Sequence, residues 1–62
     1  MTIEEAIEVN SRVGNMILAI QREFWTDYQS IDWRKNTKIG QLYVKLVEQR
    51  DELSNWLLWH IQ

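Results

Sequence analysis

The segment Asn55-Trp56-Leu57-Leu58-Trp59-His60-Ile61 decides the fold, because its apolar side chains surround two helical turns. A helix that packs against one neighbour buries one stripe and keeps its opposite face polar. The four residues from 56 to 59 follow one another at about 100° per residue, so one neighbouring helix covers only some of them. The segment therefore predicts a helix that needs more partner surface than a chain of 62 residues supplies.

Length and composition predict one small helical domain, residues 1–62. The chain is 45% hydrophobic and has four Trp, no Pro and two Gly, whereas disordered chains are poor in such residues. The scarcity of Pro and Gly favours long helices over turn-rich β structure. The absence of Cys excludes disulfides, and a single His excludes a multi-histidine site within one chain. Self-association is then the expected means of stabilising so short a chain.

The first helix is predicted from residue 3 to residue 28. Thr2 and Glu5 form a capping-box pattern at its start. Gly14, with Asn10 nearby, predicts a close crossing with another helix, at which a polar residue fixes the register. Apolar residues dominate a stripe with a 3.5-residue spacing along this segment. The stripe consists of Ile3, Ala6, Asn10, Val13, Ile17, Ile20, Phe24 and Asp27.

The second helix is predicted from residue 33 to residue 61, after a connection at residues 29–32. A helix start near Lys38, after a longer loop, is the alternative. The helical spacing lapses between residues 26 and 37, where several side chains are suitable N-caps. These are Ser30, Asp32, Asn36 and Thr37. The stripe of this helix consists of Ile39, Leu42, Leu46, Gln49, Leu53, Trp56 and His60.

The two helices predict an all-α fold, an antiparallel helical hairpin. Much of each wide apolar stripe would stay in water in an isolated hairpin, so we expect two copies to form a four-helix bundle. Parallel and antiparallel pairings of the two hairpins satisfy the stripes equally. The residues predicted for the core or the dimer seam are Ile17, Ile20, Phe24, Leu42, Leu46, Leu53, Trp56 and Leu57.

The sequence predicts neither catalysis nor a cofactor or metal site. His60 is the single candidate base, and it lies six residues from Ser54 on a different side of the same helix. The acidic motifs EExxE at 4–8 and ExxD at 48–51 resemble a magnesium-binding pair. In a hairpin that turns near residue 31, however, they are offset by six residues, or roughly 9 Å. An acidic metal-dependent hydrolase is therefore the least favoured hypothesis.

The leading hypothesis is a small non-enzymatic interaction module, an adaptor or inhibitor of another protein. Trp25, Trp33 and Trp59 lie off the main stripes, and Trp is enriched at the energetic centres of interfaces. Together with Leu58 they are the predicted partner contacts. No apolar run approaches the length of a membrane span, and the start of the chain is acidic. We therefore expect a cytoplasmic protein without a membrane partner.

Two further hypotheses remain open at this point. Trp33, Arg34, Lys35 and Lys38 form a basic cluster beside an aromatic ring, a combination that binds phosphates and stacks a base. The net charge of −2 and the small number of cations weaken this nucleic-acid hypothesis. The other hypothesis is that the chain is one subunit of a larger assembly that permanently covers its surplus apolar surface.

Overall fold

A computed structural model describes residues 1–61, and within this range the chain folds into three helices and no strands. They are α1 (Ile3–Glu23), α2 (Ile31–Asn36) and α3 (Lys38–Ile61). The all-α prediction is confirmed, and the two long helices pack against each other. The prediction of only two helices is wrong, since the connection between them contains α2. No helix within residues 1–61 is both long and apolar enough to cross a bilayer.

Helix α1 begins where the sequence predicts and ends five residues before the predicted position 28. The Thr2 hydroxyl oxygen accepts from the Glu5 backbone N–H at 3.1 Å, which satisfies one of the helix's unpaired donors. The helix ends at Glu23 because Phe24 leaves helical geometry, with φ −119° and ψ 41°. The ring of Phe24 packs against the ring of Trp33, and this tertiary contact takes the place of a further helical turn.

The predicted second helix from residue 33 is interrupted at Thr37. Ser30 caps α2 by accepting from the Trp33 backbone N–H, and Thr37 then takes an extended conformation with ψ 149°. The Thr37 hydroxyl donates to the Trp33 carbonyl at 2.6 Å and accepts from the Gly40 N–H at 2.9 Å. One side chain thus ends α2 and caps α3, so the start at Lys38 is the observed one.

The core lies between α1 and α3 in the half of the molecule near the connection. Ile17 is fully buried there, together with Val13, Tyr43 and Leu46. The Gln21 side-chain amide donates to the Tyr43 hydroxyl at 2.9 Å, which links the last turns of α1 to the early turns of α3. The helices are antiparallel, and the molecule measures 37 × 17 × 16 Å.

The buried face of α3 is rotated from the predicted stripe. Leu42 is 44% exposed and its neighbour Tyr43 is buried, so Leu42 lies outside the core of the single chain, and its predicted place in a dimer seam stays a prediction. The cause is Gly40: a Cβ there would overlap the Trp33 carbonyl oxygen. Gly40 therefore faces α2 at close range, which turns Tyr43, one helical turn later, toward the core.

The other predicted core residues divide by exposure. Ile17 and Leu46 are buried, and the rest are half-buried within the single chain. The half-buried residues are Ile20, Phe24, Leu53, Trp56 and Leu57. Their role in a dimer seam stays a prediction.

The predicted close crossing at Gly14 does not occur within the chain. No neighbouring heavy atom of residues 1–61 lies within 4 Å of a Cβ placed on Gly14. The side of α1 that holds Gly14 therefore faces open space. The two glycines differ in their surroundings: Gly40 permits close contact between α3 and α2, and Gly14 borders open space.

Candidate interaction surface

Four aromatic rings pack together at the end of the molecule that contains the connection. The ring centroids of Phe24 and Trp33 lie 5.3 Å apart, and those of Trp33 and Tyr43 lie 5.9 Å apart. Tyr28 meets Tyr43 edge-on at 6.1 Å. Such tilted arrangements suit the quadrupoles of aromatic rings. We call Phe24, Tyr28, Trp33 and Tyr43 the aromatic cluster.

The position of Trp33 in this cluster makes its predicted role as a partner contact wrong. Its side chain is only 9% exposed, so no partner reaches the ring in the folded chain. The sequence contained a signal for this position: Ser30 is a good N-cap, and Trp33 lies three residues later, on the first turn of a short helix. A stripe sought at 3.5-residue spacing does not detect a helix of six residues.

The predicted nucleic-acid patch loses two of its four residues to internal contacts. Trp33 is buried, so it offers no face on which a base stacks. Arg34 is half-buried: its Nε donates to the Tyr28 carbonyl at 2.7 Å, and its guanidinium carbon lies 5.5 Å from the centre of the Tyr43 ring. Lys35 and Lys38 remain exposed. The patch as predicted is therefore wrong as a stacking site, and two lysines are a weak basis for binding phosphates.

The opposite end of the molecule, the open end, exposes large apolar side chains. Trp59 is 84% exposed on the last turns of α3, and Leu58 and Ile61 are 57% and 62% exposed. We call these three residues the terminal patch, which wraps around the end of α3: at 100° per residue, Leu58 lies about 60° from Ile61 and about 100° from Trp59. Ile61 was not among the predicted contacts, although its position three residues after Leu58 places it beside that side chain on a helix.

Trp56 does not join the terminal patch. Its ring stacks on the His60 ring with centroids 3.9 Å apart and an angle of 18° between the planes. His60 Nδ1 lies 2.7 Å from the Trp56 carbonyl oxygen, which fixes the imidazole against its own helix. This stacking covers one face of the indole, and Trp56 is half-buried. Trp59 has no comparable cover, as its exposure shows.

Trp25 is exposed as well, but it belongs to a different part of the surface. It is 73% exposed at the connection, where it borders a shallow groove with Leu18 and Arg22 of α1. Trp59 lies on the last turns of α3, at the other end of an antiparallel molecule 37 Å long. The four predicted partner contacts therefore do not form one surface, and Leu58 and Trp59 alone remain together.

Most charged residues near the terminal patch are acidic. Glu48, Asp51 and Glu52 are exposed on α3, two to three helical turns before Trp59, and Arg50 lies 4.0 Å from Asp51. Glu52 is seven residues before Trp59, and Glu48 is eleven residues before it, so Glu48, Glu52 and Trp59 share one side of the helix. Within residues 1–61, no group of three or more His, Asp or Glu side chains is placed to hold a metal ion. The arrangement is suited to apolar contact bordered by negative charge.

Comparison of the sequence with protein-family models and with curated proteins, and of the structure with solved structures, finds no match.

Proposed function

We propose that this chain is a non-enzymatic protein-interaction module, a small adaptor or inhibitor that docks on another protein through the terminal patch. The exposure of Trp59 carries the proposal, because an indole held on a helix and left in water costs free energy that a partner recovers. Trp supplies large contact area with few rotatable bonds to freeze, and it is enriched among the residues that dominate binding energy. Leu58 and Ile61 extend this contact area.

The charge beside the patch defines the chemistry of the partner. Glu48 and Glu52 lie on the same side of α3 as Trp59, so a partner that binds this side meets negative charge. A protein with an apolar groove and a basic rim fits this side, in the way amphipathic helices bind in grooves. The rim charges contribute mainly to the rate of association and to selectivity, and the indole contributes most of the affinity.

The setting we propose is the cytoplasm, since small secreted domains rely on disulfides and this chain has no Cys. A permanent assembly that covers the terminal patch satisfies the same physical requirement as a transient partner. The two differ in whether the chain is ever found without its partner.

The test is site-specific photo-crosslinking in the cells that produce the chain, with a photoreactive phenylalanine analogue at Asn55, which is exposed one helical turn before Trp59 and leaves the indole in place. We expect one dominant adduct with a different protein. The same analogue at Ala19, which is exposed on α1, is the matched control and should not give that adduct. Adding Trp59→Ala to the position-55 probe should remove most of the adduct. Identical adduct patterns at positions 55 and 19, or an adduct insensitive to Trp59→Ala, would contradict the proposal.

A further inference from the structure

An uncharged edge runs along α1 on a side that α3 does not cover. Ile3, Ile7, Ser11, Gly14 and Leu18 fall within about 80° of one another at 100° per residue. None of the five is charged, and the three large side chains are between 40% and 51% exposed. We call these five residues the α1 edge. A continuous apolar edge over most of a helix is typical of a surface that packs against another helix.

Four residues of the α1 edge form the same pattern in both chain directions. Counted from a midpoint between residues 12 and 13, Ser11 and Gly14 are equivalent, and so are Ile7 and Leu18, whereas Ile3 is equivalent to Arg22. Two copies of α1 that cross antiparallel at this midpoint place small residues at the crossing and large residues on either side. A two-fold interface requires such a self-complementary surface, because every contact between one residue and a residue of the second copy occurs twice. The open space beside Gly14 leaves room for the close approach.

The charges beside the α1 edge favour the antiparallel direction. Glu4 and Arg22 lie at the same angle around α1, about 40° from Leu18, and both are exposed. Reversal about the same midpoint brings Glu4 within about one residue of Arg22 of the second copy, at both ends of the contact. A parallel pairing in register would instead place the two copies of this charged flank on opposite sides of the contact, where Glu4 and Arg22 do not meet. The charge pairing thus favours the antiparallel direction.

The total surface matches the need for a second copy. The chain exposes 4951 Å², whereas a folded monomer of this mass typically exposes about 4,300 Å². The excess of about 650 Å² is close to the roughly 800 Å² that each partner contributes to a standard interface. Helix α2 packs on α3, and the neighbourhood of Gly14 is open. The edge of α1 is thus a long helical surface that α2 leaves uncovered.

We propose that the α1 edge binds a second copy of this chain in an antiparallel two-fold dimer, with Ser11 and Gly14 at the crossing and Glu4 paired with Arg22 of the second copy. The contact uses residues of α1, and the terminal patch consists of residues of α3. It therefore stands or falls independently of the proposed function, and a dimer of this kind presents two terminal patches.

Charge reversal tests the direction of pairing. Sedimentation equilibrium of the full chain at low salt should show a dimer. Glu4→Arg and Arg22→Glu should each raise the dissociation constant about tenfold, since each change converts two attractive contacts per dimer into repulsive ones. The double variant should return the dissociation constant to within about threefold of the original chain. A wild-type chain that stays monomeric, or a double variant weaker than both single variants, would overturn the proposal.

Substitution at the crossing tests the surface without endangering the fold. Gly14→Gln adds a better helix former where the single chain has open space, so circular dichroism should show unchanged or higher helix content. The dimer's dissociation constant should nevertheless rise at least tenfold. Met16→Gln, which places the same side chain at an exposed position about 160° around α1 from Gly14, is the control and should leave the dimer within about twofold. A dimer that tolerates Gly14→Gln uses another surface, which overturns the proposal.

Discussion

Trp33 at the connection and Trp59 at the open end differ in how far they are buried. At the connection, Trp33 is packed against Phe24 and Tyr43 and is 9% exposed. At the open end, Trp59 is almost entirely in water. The difference is in the number of chain elements that meet: α1, α2 and α3 converge at the connection, and α3 supplies most of the surface around Trp59. Trp33 is buried where three elements meet, whereas Trp25, at the same end of the molecule, projects from the connection and is 73% exposed.

This comparison separates stability from interaction along the 37 Å length of the molecule. Full burial of a large apolar side chain stabilises a fold by about 1.5–3 kcal/mol, so the aromatic cluster holds a large share of the chain's stability. The terminal patch contributes little to folding in the single chain, since its side chains remain exposed. Substitutions at the two ends should therefore have unequal effects on unfolding.

The largest inequality is expected for Trp33→Ala against Trp59→Ala. Removal of a buried indole costs about 3–5 kcal/mol, which approaches the whole stability of a small domain. Trp33→Ala should lose most of its cooperative urea transition, followed by circular dichroism at 222 nm. Trp59→Ala should unfold within about 1 kcal/mol of the original chain. Equal destabilisation by the two substitutions would mean that the ends do not differ as described.

The sequence predicts the long helices and not the element that joins them. Periodicity identifies α1 and α3 because each presents an apolar stripe over many turns. Helix α2 is too short to show a period, and Trp33 therefore counts as an off-stripe residue with no assigned neighbour. The ring's burial depends on Gly40, seven residues later, which lets the two helices touch. A contact between two helices of this kind cannot be predicted from the periodicity of one helix.

The two glycines provide the second comparison between the regions. At Gly40, an added Cβ would overlap the Trp33 carbonyl and lie 2.7 Å from the Thr37 hydroxyl. Gly40→Ala should lower the free energy of unfolding by about 1–3 kcal/mol, the usual cost of overpacking. At Gly14 the added methyl meets open space, so Gly14→Ala should raise it by about 0.8–1 kcal/mol through helix propensity.

Urea denaturation at low protein concentration measures both glycine variants against the same original chain. Low concentration keeps any contribution from self-association small, because association shifts apparent stability by mass action. Opposite signs for the two substitutions are the expected outcome. A stabilising Gly40→Ala would show that α2 and α3 do not approach each other closely.

The interaction surface is only partly predictable for a related reason. Four consecutive large apolar residues cannot all face one neighbour, so the sequence predicts that some of residues 56–59 are exposed. Which of them is exposed depends on the rotation of α3, and Gly40 sets that rotation at the far end of the helix. A change in rotation exchanges Leu42 for Tyr43 in the core. The stripe therefore predicts the buried face of α3 to within one residue. An error of one residue corresponds to a rotation of 100° about the helix axis.

The smallest expected difference concerns the two threonine caps. Thr37 bonds to both the Trp33 carbonyl and the Gly40 N–H, so Thr37→Ala removes the cap of α3 and a link to α2. We expect a loss of about 1–2 kcal/mol. Thr2→Ala removes a cap at the exposed start of α1, where the helix frays without disturbing the core. There we expect a loss of about 0.5 kcal/mol, the low end for caps.

Thermal unfolding by circular dichroism resolves this difference between the two threonine variants, because about 1 kcal/mol shifts the midpoint by roughly 4–8 °C in so short a chain. A Thr2 variant as destabilised as the Thr37 variant would mean that the open end folds as cooperatively as the connection.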